Sequence, residues 1–342
     1  MAVTAKDIAS ELGLSQSTVS RILNGDTRQR ISAETRRRVL DAAEKHQYRP
    51  NALASALRKG RTNVIGLYTN QAYDARNDFL SNVLAGIQHG CRAEALDLLL
   101  PVGTHSRTPD EIFRTLMDGR IDGVLLHTSA EDPVVSMLTQ AGMPVIALAD
   151  PAPMAPALPC ITADDAGGMR ALTEFLLSNG RHMLCAGVSG ASWVFIEPAF
   201  QLTSVQRRRD AWCDTLRNAD VDSGMIRVMT IPDEDCEQAD WNALQALIEN
   251  GPGALCCWND RTAYSLLRQL TLRYGSIPAH LAITGFDGFL DNKLPAHRLT
   301  TVDCGWADIG CRAVSLLASS ISGEVIPAET CLPASLILGT TA

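Results

Sequence analysis

The sequence predicts a small all-α head followed by a doubly wound α/β body, and three observations carry that prediction. Charge is divided unevenly: Met1 to Arg61 holds twelve Lys and Arg against six Asp and Glu, whereas the remainder holds 18 against 32, within a net charge of −8. The first fifty residues show three helical periodicities separated by turn residues. Beyond residue 61, short apolar runs alternate with amphipathic stretches.

The head starts at Thr4-Ala5-Lys6-Asp7, a capping-box pattern in which the Thr4 hydroxyl takes the Asp7 amide and Asp7 reaches back. Ile8, Ala9 and Leu12 continue at helical spacing, and Gly13 permits a tight turn. Ser15 is a good N-cap for a second helix with Val19, Ile22 and Leu23 on its inner face, ending at Asn24-Gly25. A third helix runs from Ser32 through Val39, Leu40 and Ala43 toward Tyr48-Arg49-Pro50. Two short helices around a turn with a third packed on them form a helix-turn-helix pattern.

If Val19, Ile22 and Leu23 face inward, Gln16, Ser17, Ser20 and Arg21 face outward, with Ser15 at the helix start. Glutamine suits the N6/N7 edge of adenine, arginine suits guanine or a phosphate, and the major groove admits one helix. Thr4, Asn24, Arg28, Arg30 and Arg36 lie where phosphates would be held. A three-helix protein-interaction unit with a solvated polar face is the competing reading.

At these residues the chain resembles the lactose-repressor (LacI/GalR) family of transcription regulators. The stretch T-A-K-D-I-A-S-E-L-G-L-S-Q-S-T-V-S-R-I-L-N-G is followed by I-S-A-E-T-R-R-R-V and Y-R-P-N-A-L-A-S-A-L. The loop D-T-R-Q-R after Asn24-Gly25 is about two residues longer than in the lactose repressor; it either adds phosphate contacts through Arg28 and Arg30 or is merely solvated. The resemblance implies a hinge helix over residues 51–60, with Asn51 at its start and Ala54 and Leu57 matching the family's A-x-x-L. Leu57 would then be the apolar wedge that enters the minor groove and kinks the duplex.

In the body, the runs at 64–68, 96–102, 123–127, 144–148, 183–188, 254–258 and 282–286 are expected to be strands buried on both faces. Helices are expected within 80–94, 109–118, 165–179, 206–218, 239–250 and 260–274. Repeated β-α units imply parallel sheets with ligands at the carboxyl ends of the strands.

The resemblance extends to this body through N-D-F-L (77–80), D-G-V-L (122–125), P-V-I-A-L (144–148), N-D (259–260), G-F-D (285–287), L-T-T-V (299–302) and L-P-A-S-L (332–336). It implies a core like the periplasmic binding proteins: two doubly wound parallel-sheet subdomains joined by three crossovers, near 161–163, 302–304 and 333–335. The head would be 1–50, one subdomain 61–161 with 304–333, and the other 162–303 with 334–342. A small effector would occupy the cleft between the subdomains.

By the same resemblance Arg208 stands in the family's R-x-x-G-F position, Asn259 opens the N-D pair, Asp287 follows G-F, and Trp306 stands where an aromatic stacks on ligand. Each also has a plainer reading: Arg208 as part of an exposed arginine run, Asn259 and Asp287 as helix or turn caps, Trp306 as core. Asp150 is a further effector-binding candidate; it comes one position later than the family's aspartate, after Ala149, and its plainer reading is a side chain that faces away. The usual Asp-Asn pair reads Ala163-Asp164, and no basic residue precedes the C-terminal Thr pair. The stretch 193–203 reads as an aromatic insertion whose Trp193 or Phe195 reaches the cleft or covers a sheet edge.

Several functions are excluded or disfavoured. No apolar run approaches the ~18–20 residues of a membrane helix. Asp7 interrupts the start where an export signal would be apolar, so a cytoplasmic protein with no membrane partner is expected. The ten cysteines form no C-x-x-C pair and no zinc spacing, so they read as buried thiols and no metal or cofactor is expected. Phosphate-binding glycine motifs, G-x-S-x-G and H-E-x-x-H are absent and the seven histidines are scattered, which argues against an enzyme. An α/β enzyme or a free solute-binding protein is the alternative.

The expected function is a regulator, dimeric at least and with a dimer favoured over a tetramer, that reads pseudo-palindromic double-stranded operator DNA, most often as a repressor. Its effector would be a sugar, sugar acid or nucleoside. Leu57→Ala should weaken operator binding and straighten the bound DNA in a gel-bending assay; unchanged affinity and bend would remove Leu57 from the hinge.

Overall fold

The computed structural model describes residues 3–23, 31–48, 60–70, 77–101, 106–129, 131–150, 158–178, 192–232, 236, 241–242, 244–245, 253–289 and 298–342. Asn24, Arg28, Arg30, Asn51, Ala54 and Leu57, the strand expected at 183–188, and most of the helix expected at 239–250 lie outside them. The chain divides into two compact units, Met1–Asn63 and Val64–Ala342.

The first unit contains α1 (Ala5–Leu12), α2 (Gln16–Leu23) and α3 (Ala33–Lys45). The Thr4–Asp7 capping box forms in both directions, and Gly13 closes α1 at φ 66°. Ser15 Oγ accepts the Thr18 amide at 3.1 Å and Ser32 Oγ the Thr35 amide at 3.1 Å, so each later helix starts on a serine cap. Ile8, Val19 and Val39 are fully buried and pack with Ala9, Ile22, Ala42 and Ala43. Glu11 adds a polar tie from α1 to the end of α3, meeting Lys45 Nζ at 2.9 Å and His46 Nε2 at 2.6 Å.

In the second unit, β1 (Val64–Thr69), β2 (Asp97–Leu99), β3 (Gly123–His127), β4 (Val145–Leu148), β5 (Cys160–Ala163) and β11 (Glu329–Leu332) form one parallel sheet, ordered β11-β5-β4-β3-β1-β2. Alternation along the strands divides its side chains between two helical layers. Ile65, Leu67, Leu125, Ile146 and Leu148 face α4 (Asp78–Glu94) and α10 (Trp306–Ile321). Tyr68, Val124, Leu126, Val145 and Ala147 face α5 (Pro109–Leu116) and α6 (Pro133–Gln140).

A second parallel sheet, ordered β7-β6-β8-β9, is built from β6 (Ser192–Pro198), β7 (Ile226–Ile231), β8 (Gly253–Cys257) and β9 (Leu281–Thr284). One face packs on α7 (Asp165–Ser178) and α8 (Thr203–Asn218), the other on α9 (Asp260–Tyr274). A short antiparallel pair, β10 (Thr301–Asp303) with β12 (Ser335–Ile337), completes the unit. β5 belongs to the six-stranded sheet through Ala163, and β11 through Leu332.

The stretch 193–203 is corrected by this arrangement. It is not an insertion: residues 192–198 are β6, hydrogen-bonded to strands on both sides. Trp193 and Phe195 reach neither a cleft nor an edge; they are 2% and 0% exposed, and Phe195 lies 5.7 Å from Trp212. The run W-V-F-I obeys the rule that identified the other strands, continuous apolar residues buried on both faces.

α4 and α10 meet backbone to backbone because a glycine on each helix faces the main chain of the other. A Cβ at Gly86 would overlap the Ala307 carbonyl, and one at Gly310 the Val83 carbonyl. Gly86→Ala should therefore destabilise the core by about 1–3 kcal/mol, read as a lowered urea midpoint at unchanged m. An unchanged midpoint would mean that the two helices are not in register as described.

Candidate effector site and DNA-reading face

Sheet order singles out two places in the second unit. It reverses between β1 and β3 in the first sheet and between β6 and β8 in the second, and ligands in such folds settle outside the carboxyl ends of the strands at such reversals. The polar and aromatic groups described below come from the turns that end β4, β8 and β9, from the end of β3, and from the helices that follow β1, β5, β6, β8 and β10.

Arg208 is at the centre. It is carried inward on α8, which also buries Val205, Trp212 and Leu216, and it is 3% exposed. Its Nε donates to Asp165 Oδ1 at 2.7 Å, its Nη1 donates to the Trp258 carbonyl at 2.7 Å and lies 3.5 Å from Asp287 Oδ1, and its guanidinium sits 3.9 Å above the Phe286 ring. The exposed-run reading fits its neighbours instead: Arg207 pairs with Glu329 at 2.6 Å and Arg209 with Glu197 at 3.1 Å at the surface. Burial alone would lower the pKa of Arg208, but Asp165 and Asp287 hold it above its ordinary value, so the guanidinium stays charged.

Asp150 does not face away. It follows Ala149, whose φ of 70° turns the chain after β4, and its Oδ1 accepts the Ser204 amide at 2.8 Å. It thereby caps α8, whose own N-cap, Leu202, offers no side-chain bond. Burial raises the pKa of Asp150 and likewise of Asp165, whose second oxygen is buried with no hydrogen-bond partner.

Asn259 is a cap in fact: 6% exposed, it starts α9 by accepting the Thr262 amide at 2.8 Å. Asp287 combines a turn position with a site position. Its φ is 123°, a region that side chains other than glycine's rarely adopt, and its amide donates to the Val302 carbonyl at 2.8 Å while its carboxylate faces Arg208. Trp306, 5% exposed at the start of α10, lies edge-on to Phe79 at 4.8 Å, and its indole N–H is buried without a partner.

The sequence reading missed several neighbours. Phe79 also lies 4.7 Å from His127, which ends β3; burial drops the His127 pKa to about 4, so its ring is neutral. Trp258 adds a second buried indole N–H without a partner, and the exposed Phe200 meets it edge-on at 5.9 Å. Asp165 and Asp260 are acids buried at helix starts. The signal for Asp260 was the second letter of the N-D pair; for Asp165 it was a doubled aspartate opening an amphipathic helix.

Around one guanidinium the structure thus places four carboxyl groups, Asp150, Asp165, Asp260 and Asp287. That field disfavours an added anion and suits groups that donate hydrogen bonds. No group of three or more His, Cys, Asp or Glu among the described residues is arranged to hold a metal. A surface groove of about 670 Å³ between α7 and α8 is lined by Arg170, Glu174, Arg207, Asp210 and Asp214 and does not reach Arg208.

In the first unit, Gln16, Ser17 and Arg21 are exposed along one side of α2 opposite the buried Val19 and Ile22, with Ser20 beside them half-buried. Thr4 and Ser15 are already engaged in caps: Thr4 Oγ1 donates to Asp7 at 2.7 Å, and Ser15 Oγ lies 2.8 Å from the hydroxyls of Ser17 and Thr18. Arg36 is half-buried in the first turn of α3. Among the described residues, no helix is long and apolar enough to cross a membrane.

Comparison with known proteins agrees with both units. The profile of bacterial regulatory proteins of the lacI family matches residues 4–51, and that of periplasmic binding proteins and the sugar-binding domain of the LacI family matches 63–338. An HTH-type transcriptional regulator of Mycolicibacterium smegmatis is 28% identical over 99% of this chain and 96% of that protein. The HTH-type transcriptional repressor PurR of Vibrio vulnificus is 28% identical over 94% of this chain and 92% of its own length. The lac repressor dimer bound to operator and the anti-inducer ONPF shares the fold with a TM-score of 0.79 at 21% identity, covering 100% of this chain and 99% of that one. A helix-turn-helix head and a periplasmic-binding-protein-like core, matched together over nearly the whole chain, make this protein a LacI-family DNA-binding transcription regulator.

Proposed function

We propose that the protein is a cytoplasmic repressor that reads a pseudo-palindromic operator as a homodimer and changes its grip when a neutral, polyhydroxylated effector binds around Arg208. The observation that carries the reading is the buried Arg208 cluster at the carboxyl ends of the strands, with Asp150, Asp165 and Asp287 about one guanidinium. Sugar hydroxyls donate to carboxylates and accept from the unpartnered indole N–H groups of Trp258 and Trp306. Aromatic rings such as Phe79 and Trp306, set edge to face, offer a surface that suits the apolar face of a sugar. A sugar acid would add charge to a site already rich in carboxylates, so it is the poorer candidate. The chain is proposed to bind its effector without altering it.

The solved relatives point the same way. The transcriptional regulator CelR was solved as a cellobiose complex and shares the fold with a TM-score of 0.66 at 21% identity, covering 99% of this chain and 100% of that one. In the head, α2 would enter the major groove with Gln16, Ser17, Ser20 and Arg21 toward the bases. Thr4 and Ser15 would offer phosphates only what their caps leave over. Arg36 would add a phosphate contact, and residues 51–60 would couple the core to the head.

Two expected outcomes test this. With a fragment from upstream of its own coding region, log affinity should fall with log salt at a slope steeper than about −4, as several phosphates are neutralised; no binding at low salt would contradict it. In a thermal-shift screen, neutral mono- or disaccharides should raise Tm, by about 2.7 kcal/mol of stabilisation at a hundred times Kd, and Asp287→Asn should reduce that shift. Stabilisation by sugar acids alone, or a full shift in Asp287→Asn, would overturn the site.

A further inference from the structure

We propose that Asp260 is a positioning residue for the effector site, holding Asp287 against Arg208 through the backbone of the 285–289 turn. The inference rests on the reading that Arg208 and Asp287 receive the effector. Asp260 is fully buried at the first position of α9. One of its oxygens accepts the Thr301 hydroxyl on β10, and the other accepts the Phe289 amide at 2.6 Å; the Gly288 amide adds a third bond, and the Asp260 amide donates to the Phe286 carbonyl at 2.8 Å. One carboxyl group therefore grips the turn on both sides of Asp287 and ties it to β10.

The turn needs such a grip. Asp287 holds a φ of 123°, and Gly288, at φ 83°, is pressed against Asp303 so closely that a Cβ there would lie 2.7 Å from the Asp303 Cα. At Gly285, a Cβ would overlap the Asp260 carboxyl itself. Strain of this kind persists only where the surroundings over-determine it. Asn259 caps the helix from the adjacent position, so the helix start does not need Asp260, which is left to serve the turn.

The arrangement is also sensitive to a proton. Among the described residues, the titratable and charged groups that interact with Asp260 are Arg208 from α8, Cys257 from β8 and Cys304 from the β10–α10 link. Burial keeps both thiols well above 9 and therefore neutral, while Arg208 remains charged. Burial lifts Asp260 itself from 3.8 to about 7, more than its hydrogen bonds and Arg208 lower it. Because the folded value is raised, the stabilisation is complete below the unfolded value and is lost as pH rises through about 7. Protonated Asp260 donates to Thr301 and still accepts the turn amides, a pattern that asparagine reproduces with its Nδ2 and Oδ1.

The test is hydrogen exchange at the amides of Asp287, Gly288 and Phe289 in the full-length protein, expressed as protection factors at pH 6 and pH 8. In the wild type, protection should fall about tenfold between these pH values. Asp260→Asn should keep the pH 6 protection at both, which separates Asp260 from Asp150 and Asp165. Asp260→Ala, if it folds, should lose protection at both. Flat protection in the wild type, or an unchanged fall in Asp260→Asn, would overturn the proposal. Exchange is read without any sugar, so this result is independent of the effector screen. If a neutral disaccharide such as cellobiose stabilises the protein, its Kd should weaken between pH 6 and pH 8 in the wild type and not in Asp260→Asn.

Discussion

The core is organised around one buried cation. Arg208 brings a guanidinium into a place where water cannot solvate it, and every group that compensates for this comes from a different element: Asp165 from the start of α7, the Trp258 carbonyl from the end of β8, and Asp287 from the turn after β9. A buried charge without such partners would cost several kcal/mol, so these elements cannot drift apart without exposing it. The same constraint leaves a patch rich in acceptors where the strands end. On the proposed function, the atoms that hold Arg208 in place are also those that meet the effector.

That economy has a structural cost, visible in the backbone. Asp287 reaches Arg208 only by adopting a φ of 123°, and the residues around it are arranged to make that conformation the only one available: Asp260 below, the Val302 carbonyl beside, glycines before and after. The crossover strand β10 contributes to this cage and leads directly into α10 and Trp306. A ligand that altered the pairing of Asp287 with Arg208 would be felt along β10, a physical route from the site to the element that packs on α4. The close approach of Gly86 and Gly310 to the main chain of the opposite helix makes that pair a poor absorber of small shifts.

Much of this was legible in the sequence because simple rules apply to it. Capping boxes, serine caps and helical spacing gave the head to within a residue or two, and continuous apolar runs gave β1, β3, β4, β8 and β9. The same rule, applied to W-V-F-I, would have given β6; comparison with the family led to its reading as an insertion instead. β5 and β7 were missed for a different reason. C-I-T-A is too short to stand out, and I-R-V-M-T-I, on the sheet edge, exposes Arg227, Val228 and Thr230 and so lacks a continuous buried run. For the site, chain position identified Arg208 and Asp287, but spacing carries no information on which acids would meet the arginine. Asp165 and Asp260 became visible only when the fold brought residues forty or more positions apart into contact.

On the proposed function, occupancy of the Arg208 cluster and grip on DNA are one equilibrium. The most direct measurement is the Kd for a fluorescent fragment from upstream of the protein's own coding region, with and without a neutral sugar that stabilises the core. The account predicts a change of about 5–150-fold, matched by an equal change in sugar affinity when DNA is bound. Identical DNA affinity in the presence of a saturating, stabilising sugar would contradict it.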